Sequence, residues 1–246
     1  MLQKTKGMVL RSVKYGETSL IVTIFTEMLG IQSYLVNGVR TATLKNPYRG
    51  SMFQPATLLD MVVYHSDRSN LHRIREYRLF KIYSDIYKNV HKNTVALFMV
   101  ELLQKCLKQP ETNPVLYEFI EDAFIHLDVA NPQVTANFPL YFTLHLAHFF
   151  GFRIQDDHSK ENSVLDLHEG GFFSLKPVHQ NYLEGELSSI SSSLLKTQHP
   201  DDLQQFLLSR EQRHLLLEAY LSFYAFHQPD FGSLRSLPVL HALYEI

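Results

Sequence analysis

The hydrophobic pattern of this 246-residue chain changes its period near residue 80, and no all-α or all-β fold accommodates that change. Before it lie five short runs: 8–13 (MVLRSV), 20–25 (LIVTIF), 31–36 (IQSYLV), 57–65 (TLLDMVVYH) and 71–79 (LHRIREYRL). Their β-branched and aromatic residues suit a pleated, half-buried surface, and Gly7, Gly16, Gly30, Gly38 and the polar turn SDRSN at 66–70 interrupt them. Five strands in so short a segment, with room for a helix only between the third and fourth, predict a closed or partly open barrel of the OB type. Apolar residues on both faces of the first two strands predict that one face fills the barrel while part of the other is covered. For Tyr34, Phe53 and Tyr64, filling the barrel is the economical reading; presenting a ring to a base is the alternative.

Beyond residue 81 the period is helical. Val115, Leu116, Phe119, Ile120, Ala123, Phe124 and Leu127 form one apolar stripe, started by Asn113 and Pro114, since Asn accepts from a free helix N–H and Pro has none to orphan. Ser209 and Gln212 make a capping box for a helix that buries Leu215, Leu216, Ala219, Tyr220 and Phe223 and stops near Pro229. Segments 82–107 and 139–150 are apolar nearly all round, as central helices of a bundle are. Segment 152–184, with QDDHSKENS, HEGGFF and Pro177, reads as a loop-rich insertion. The expected fold class is therefore α+β with two domains: an OB-fold barrel at 1–80, then an all-α helical bundle at 81–246 carrying a cysteine-less insertion at about 152–184.

FPLYFTLHLAHFFGF at 138–152 contains two His and falls short of a membrane span of roughly 20 residues, so it reads as a buried helix. MLQKTKGMVL lacks the apolar core of a secretory signal, and a cytoplasmic address is expected. The single Cys106, set among Leu102, Leu103 and Leu107, excludes an internal disulfide and zinc sites built on paired cysteines, and reads as a small buried hydrophobe. No phosphate loop, dinucleotide fingerprint, nucleophile elbow or HExxH motif is present, which argues against an enzyme and against a cofactor. His145 and His148 read as packed core histidines. Asp156, Asp157, His158, His168, Glu169 and His179 gather in the insertion, but their spacing imposes no tetrahedral site.

The net charge of −2 conceals an asymmetry. Residues 1–80 carry eleven Lys and Arg against five Asp and Glu, a net of +6, which leaves twelve basic against twenty acidic residues, or −8, for the remainder. A basic module joined to an acidic one fits a polyanion-binding part attached to a part with another task. Single-strand binders combine cations that track phosphates with aromatic faces on which bases stack. The barrel segment interleaves both: the candidate DNA contacts are Lys6, Arg11, Lys14, Arg40, Lys45, Arg49, Arg68, Arg73 and Arg75, with Tyr15 and Tyr48 as candidate stacking rings.

Three stretches carry a resemblance to a known family. YGE at 15–17 follows an apolar strand and precedes IVTIFTEMLG, NGVR and FQPATLLDMVVY; LLLEAYLSFYAFHQPDFGSLRSLPVL closes the chain. In these the chain resembles the bacterial RecO recombination-repair proteins. The resemblance implies a DNA-binding OB barrel followed by a helical domain, with binding of single- and double-stranded DNA, annealing of complementary strands, and action with RecR to help RecA displace single-strand-binding protein at the nucleoid. It also implies that the helical domain recognises the acidic C-terminal tail of single-strand-binding protein. Arg153, Arg210 or Arg213 would supply a cation for the tail's carboxylate. Many relatives carry a four-cysteine zinc motif where this chain has FGFRIQDDHSKENSVLDLHEGGFFS, so a metal-free insertion held by packing is expected. The competing readings are a protein-interaction adaptor whose barrel binds a partner protein, and a metal-dependent enzyme using the insertion.

Overall fold

In the computed structural model the described residues are 1–40, 49–66, 68–108 and 111–243. Five strands form a closed barrel: β1 (Leu2–Tyr15), β2 (Ser19–Thr26), β3 (Gly30–Val36), β4 (Leu58–Tyr64) and β5 (His72–Leu79), in the order β1-β2-β3-β5-β4. All neighbours are antiparallel except β3 and β5, whose short parallel pairing of Tyr34 with His72 and Leu35 with Arg73 closes the barrel. This is the OB arrangement expected from the run spacing.

β1 begins six residues before the apolar run that predicted it, because it serves two partners. Leu2–Met8 pair with β4 and Gly7–Tyr15 pair with β2. The strand changes partner at Gly7, where a Cβ would lie 2.6 Å from both Ile24 Cγ2 and Met61 Cε. Only a residue without a side chain fits there. Gly7→Ala is expected to destabilise the barrel by about 1–3 kcal/mol through overpacking, read as a lowered urea midpoint; an unchanged midpoint would mean that Ile24 and Met61 repack freely.

Val9, Val22, Ile24, Tyr34, Phe53, Leu59, Met61 and Val63 fill the interior, with Phe53 against Tyr77 at 4.8 Å between ring centroids. Tyr34 and Phe53 thus fill the barrel; Tyr64 does not, being half exposed on the outer face at the end of β4. The second apolar face of β1 and β2 is covered as expected: Met8 and Phe25, paired across the strands, are fully buried, and the Phe25 ring meets Tyr117 at 5.9 Å.

Six α-helices are found among the described residues: α1 (Val90–Cys106), α2 (Pro114–Val129), α3 (Pro132–Ala147), α4 (Gly185–Lys196), α5 (Arg210–His227) and α6 (Leu237–Leu243). The chain divides into two compact units that are discontinuous in sequence, 1–84 with 107–125 and 85–106 with 126–246. Caps explain where helices begin. Asn89 accepts from His91 N and Lys92 N, starting α1 at 90 rather than 82; Asn113 accepts from Leu116 N; and Asn131 accepts from Val134 N, so α3 starts at Pro132, seven residues before its expected start. Ser209 and Gln212 form the predicted capping box. The insertion is not wholly irregular, since β6 (Val164–Asp166) is flanked by β7 (Gly171–Phe173) and β8 (Tyr182–Leu183) in a small antiparallel sheet. Cys106 is buried.

The closing segment is clamped rather than merely packed. The Glu101 carboxylate of α1 accepts from Arg235 N at 2.8 Å, Ser236 N at 2.8 Å and the Ser236 hydroxyl, at the N-terminal end of α6. Burial by itself would raise this carboxyl; the Ser236 hydroxyl, the two amides and Lys105 outweigh it and hold it below the ordinary carboxylate range. A lowered folded value means the clamp acts fully above the unfolded carboxyl value of about 4.3 and fades as pH falls through the folded value. Glu101→Ala is expected to cost about 1–3 kcal/mol at pH 7 and to speed amide exchange across α6. Unchanged exchange there would sink the clamp.

Candidate nucleic-acid interface

The register of the barrel assembles the candidate surface. Val9 points inward, and simple alternation would send Arg11, Val13 and Tyr15 inward with it. A bulge intervenes: Val9 pairs with Ile24 but Arg11 with Thr23, leaving Leu10 as the extra residue. The bulge reverses the alternation, so Ser12 turns inward, its hydroxyl donating to Phe53 O, while Arg11, Val13 and Tyr15 face out.

Three cross-strand rows follow. Arg11, Thr23 and Ser33 form one; Val13, Ile21, Leu35 and Arg73 form the next; Tyr15 and Ser19 lead to Asn37, held by a 3.0 Å hydrogen bond between Ser19 Oγ and Asn37 Oδ1. Arg73 is also paired with Tyr64 of β4. Directly opposed side chains in such rows stand about 4.5–5.5 Å apart at Cβ. The patch therefore has an apolar centre, arginines at two edges, exposed Tyr15 and Tyr64 rings, and no acidic residue in any of its rows.

Two loops border it. The β1–β2 turn is buttressed by Arg40, whose Nη1 donates to Gly16 O at 2.8 Å and whose amide donates to Thr18 O at 3.1 Å. The β4–β5 loop carries exposed Arg68 and forms one wall of a groove of about 580 Å³, with His65, Ser66, Ser69 and Asn70 opposite Thr23, Met28, Ile31 and Ser33. Thr23 and Ser33 belong to both groove and patch, which makes the two one continuous surface. The β2–β3 face with these two loops is where OB barrels take up oligonucleotides and oligosaccharides.

The predicted cations separate into two sets. Arg11, Lys14, Arg68 and Arg73 are exposed and no ion pair joins them to a described carboxylate; Lys14 stands at the barrel mouth beside Leu20. Lys6 and Arg75 are engaged within their own unit. Lys6 Nζ lies 2.8 Å from Glu121 Oε1 and 4.2 Å from the Phe80 ring centroid, and Arg75 Nε lies 3.3 Å from Glu76 Oε1. Arg78 is likewise held by Asp60 at 2.8 Å. Lys45 and Tyr48 lie outside the described residues, as does the side chain of Arg49. Nothing in the sequence signals the polar groove, and of the two readings for Tyr64 the exposed one holds; the signal for it is the residue's place at a strand end beside an Arg-rich run.

In the helical unit the three candidate cations for an acidic tail fall in different places. Arg213, on α5, lines a cavity of about 520 Å³ whose apolar wall includes Val95, Ala130, Pro132, Leu240 and Leu243. Its Nη1 donates to Leu208 O at 2.7 Å. Lys92, on the same lining, is committed to Asp85 Oδ2 at 3.0 Å and Asp128 O at 2.7 Å. Arg153 lines a different cavity, shared with Asp156 and Asp157. Arg210 is exposed on the first turn of α5.

Two of the insertion's carboxylates, Asp156 and Asp166, hold its local structure. Burial pushes the Asp156 carboxyl up, but Ser192 at 2.7 Å and Lys196 at 3.0 Å draw it below its ordinary value. Asp166 accepts from His168 N at 2.7 Å and Glu169 N at 3.2 Å, capping the β6–β7 turn.

The comparisons with known proteins agree with one another. The family model described as "Recombination protein O N terminal" matches residues 1–83, and "Recombination protein O C terminal" matches 87–237. Proteins named "DNA repair protein RecO" from Phocaeicola vulgatus and Bacteroides fragilis are each 30% identical to the chain, the first over 99% of it and the second over 100%, in both cases covering 100% of the relative. One of the same name from Flavobacterium psychrophilum is 29% identical over 98% of both chains.

Proposed function

The chain belongs to the RecO family, and we propose that it acts in DNA repair and recombination as a non-enzymatic mediator. In this reading the barrel of residues 1–80 binds single- and double-stranded DNA and anneals complementary strands, and the helical part, 81–246, engages protein partners. With RecR it would help RecA replace single-strand-binding protein on DNA. The observation that carries the reading is the acid-free outer patch centred on Val13, Ile21 and Leu35 and edged by Arg11 and Arg73. A carboxylate in these rows would repel phosphates; a bare charge cluster would grip phosphates but give bases nothing to lie on. Annealing follows from partial coverage: cations of one face neutralise two backbones at once while the base edges stay exposed to find partners.

The helical part supports tail recognition through the Arg213 cavity. An acidic, Phe-ended tail needs an apolar recess beside a cation, and the Arg213 cavity combines Leu240, Leu243 and Val95 with a guanidinium. Asp85 also lines the Arg213 cavity but is paired with Lys92. The Arg153 cavity holds two acids, of which only Asp156 is paired among the described residues, with Lys196, and this makes it the poorer host for a carboxylate.

Strand-annealing and mobility-shift assays test the reading, with single-strand-binding protein present in full-length or tail-deleted form. Faster annealing of naked strands, and annealing of coated strands only when the tail is intact, is the expected pattern. DNA affinity that is weak and indifferent to salt would instead make the barrel a protein-binding adaptor.

A further inference from the structure

We propose that His214, Glu218 and His241 form a site for one divalent transition metal of the zinc type, which staples α6 to α5. His214 and Glu218 are four residues apart on α5 and so stand on one face, one turn apart. His241 reaches them from α6. One ligand atom from each lies within 4.8 Å of the other two, and this is the one such group of three among the described residues. The two imidazoles have centroids 4.0 Å apart, and His241 Nδ1 is 4.0 Å from Glu218 Oε1.

Two imidazole nitrogens and one carboxylate oxygen are the donor set of three-ligand zinc sites, which keep a fourth position for water. Ligand atoms around a tetrahedral zinc stand about 3.3 Å apart, given bonds of 2.0–2.2 Å. His214 and Glu218 are exposed and His241 half buried, so small side-chain rotations close the remaining gap and an ion reaches the site from solvent. Imidazole ligands disfavour magnesium and calcium, which take oxygen donors.

The site has a mechanical role. A helix of seven residues does not sustain itself, and α6 is held at its start by Glu101 and along its length by buried Leu240. An ion on His241 adds a second fixed point to the helix that contributes Leu240 and Leu243 to the Arg213 cavity.

The test uses the full chain, stripped with a chelator and titrated with zinc against a chromophoric indicator, with amide exchange recorded across residues 236–243. One zinc per chain at micromolar affinity or tighter is expected, together with slower exchange in α6. His214→Ala, His241→Ala and Glu218→Gln should each weaken binding at least tenfold. A His168→Ala/His179→Ala variant, which removes the stacked pair in the insertion, should bind as the parent does. Exchange in α1 reports whether each variant is folded. The proposal fails if the parent binds no zinc, if the His214→Ala/His241→Ala double variant retains parental affinity, or if zinc binds without slowing exchange in α6.

Discussion

Replacing Arg11, Lys14 and Arg73 together with alanine is expected to weaken binding of a single-stranded oligonucleotide on the order of 100-fold at 0.1 M salt. Each cation that neutralises a phosphate on a single strand contributes about 0.7 to the slope of log affinity against log salt, so three lost contacts flatten that slope by roughly 2. These residues are suitable because no ion pair joins any of them to a described carboxylate, and their removal breaks no described interaction of the fold. The matched control is Lys6→Ala with Arg75→Ala and Arg78→Ala, which removes the same formal charge from residues already held by Glu121, Glu76 and Asp60. Removing one partner of the half-buried Lys6–Glu121 pair leaves a carboxylate behind, so this control is expected to lose stability more than affinity. Filter binding over a salt series reads both slopes. Equal losses of affinity in the two triples would show that only overall charge matters and that the patch has no special standing.

What could be read beforehand was set by short-range physics. Run lengths and glycine punctuation are local, so five strands and their approximate ends were legible. The outer patch was not, because it depends on the bulge at Leu10, and one extra residue reverses the side on which Arg11, Val13 and Tyr15 emerge. Nothing in "VLRSV" announces a bulge; it arises where β1 passes from β4 to β2. Composition identified the basic segment, yet could not tell spent cations from available ones, since the partner of Lys6 is Glu121, 115 residues away. Tyr64 keeps two readings for a related reason, as an aromatic in an apolar run reads as core until its register is known. Helix starts were legible where Asn and Pro stood together, at 113, and where Ser209 and Gln212 made a box. The start of α3 was missed although Asn131 and Pro132 repeat the pair at 113, because the all-round apolar run begins only at Pro139, which the helix carries within it. The choice among Arg153, Arg210 and Arg213 needed tertiary information altogether, for it turns on which apolar walls and which acids surround each guanidinium.

Arg213→Glu is expected to abolish binding of a peptide with the acidic, Phe-ended sequence of the single-strand-binding protein tail, a loss of at least 100-fold by fluorescence anisotropy. The substitution exchanges a cation for an anion at a cavity whose lysine, Lys92, is already held by Asp85 and Asp128 O. A carboxylate-terminated peptide then meets like charge where it needs a counter-ion, and reversal of a charge-assisted hydrogen bond costs more than its deletion. Arg213→Lys keeps the charge but loses the planar fork, and an intermediate loss of about tenfold is expected. The same variants report on the division of labour. Annealing of naked complementary strands should proceed in Arg213→Glu as in the parent, because the outer barrel patch is untouched, whereas annealing of strands coated with single-strand-binding protein should fall to the level seen with its tail-deleted form. Since Arg213 Nη1 also donates to Leu208 O, a melt of each variant separates lost recognition from lost packing. If Arg213→Glu binds the peptide normally while Arg153→Glu does not, the tail lies in the Asp156–Asp157 cavity and the electrostatic argument for Arg213 is wrong.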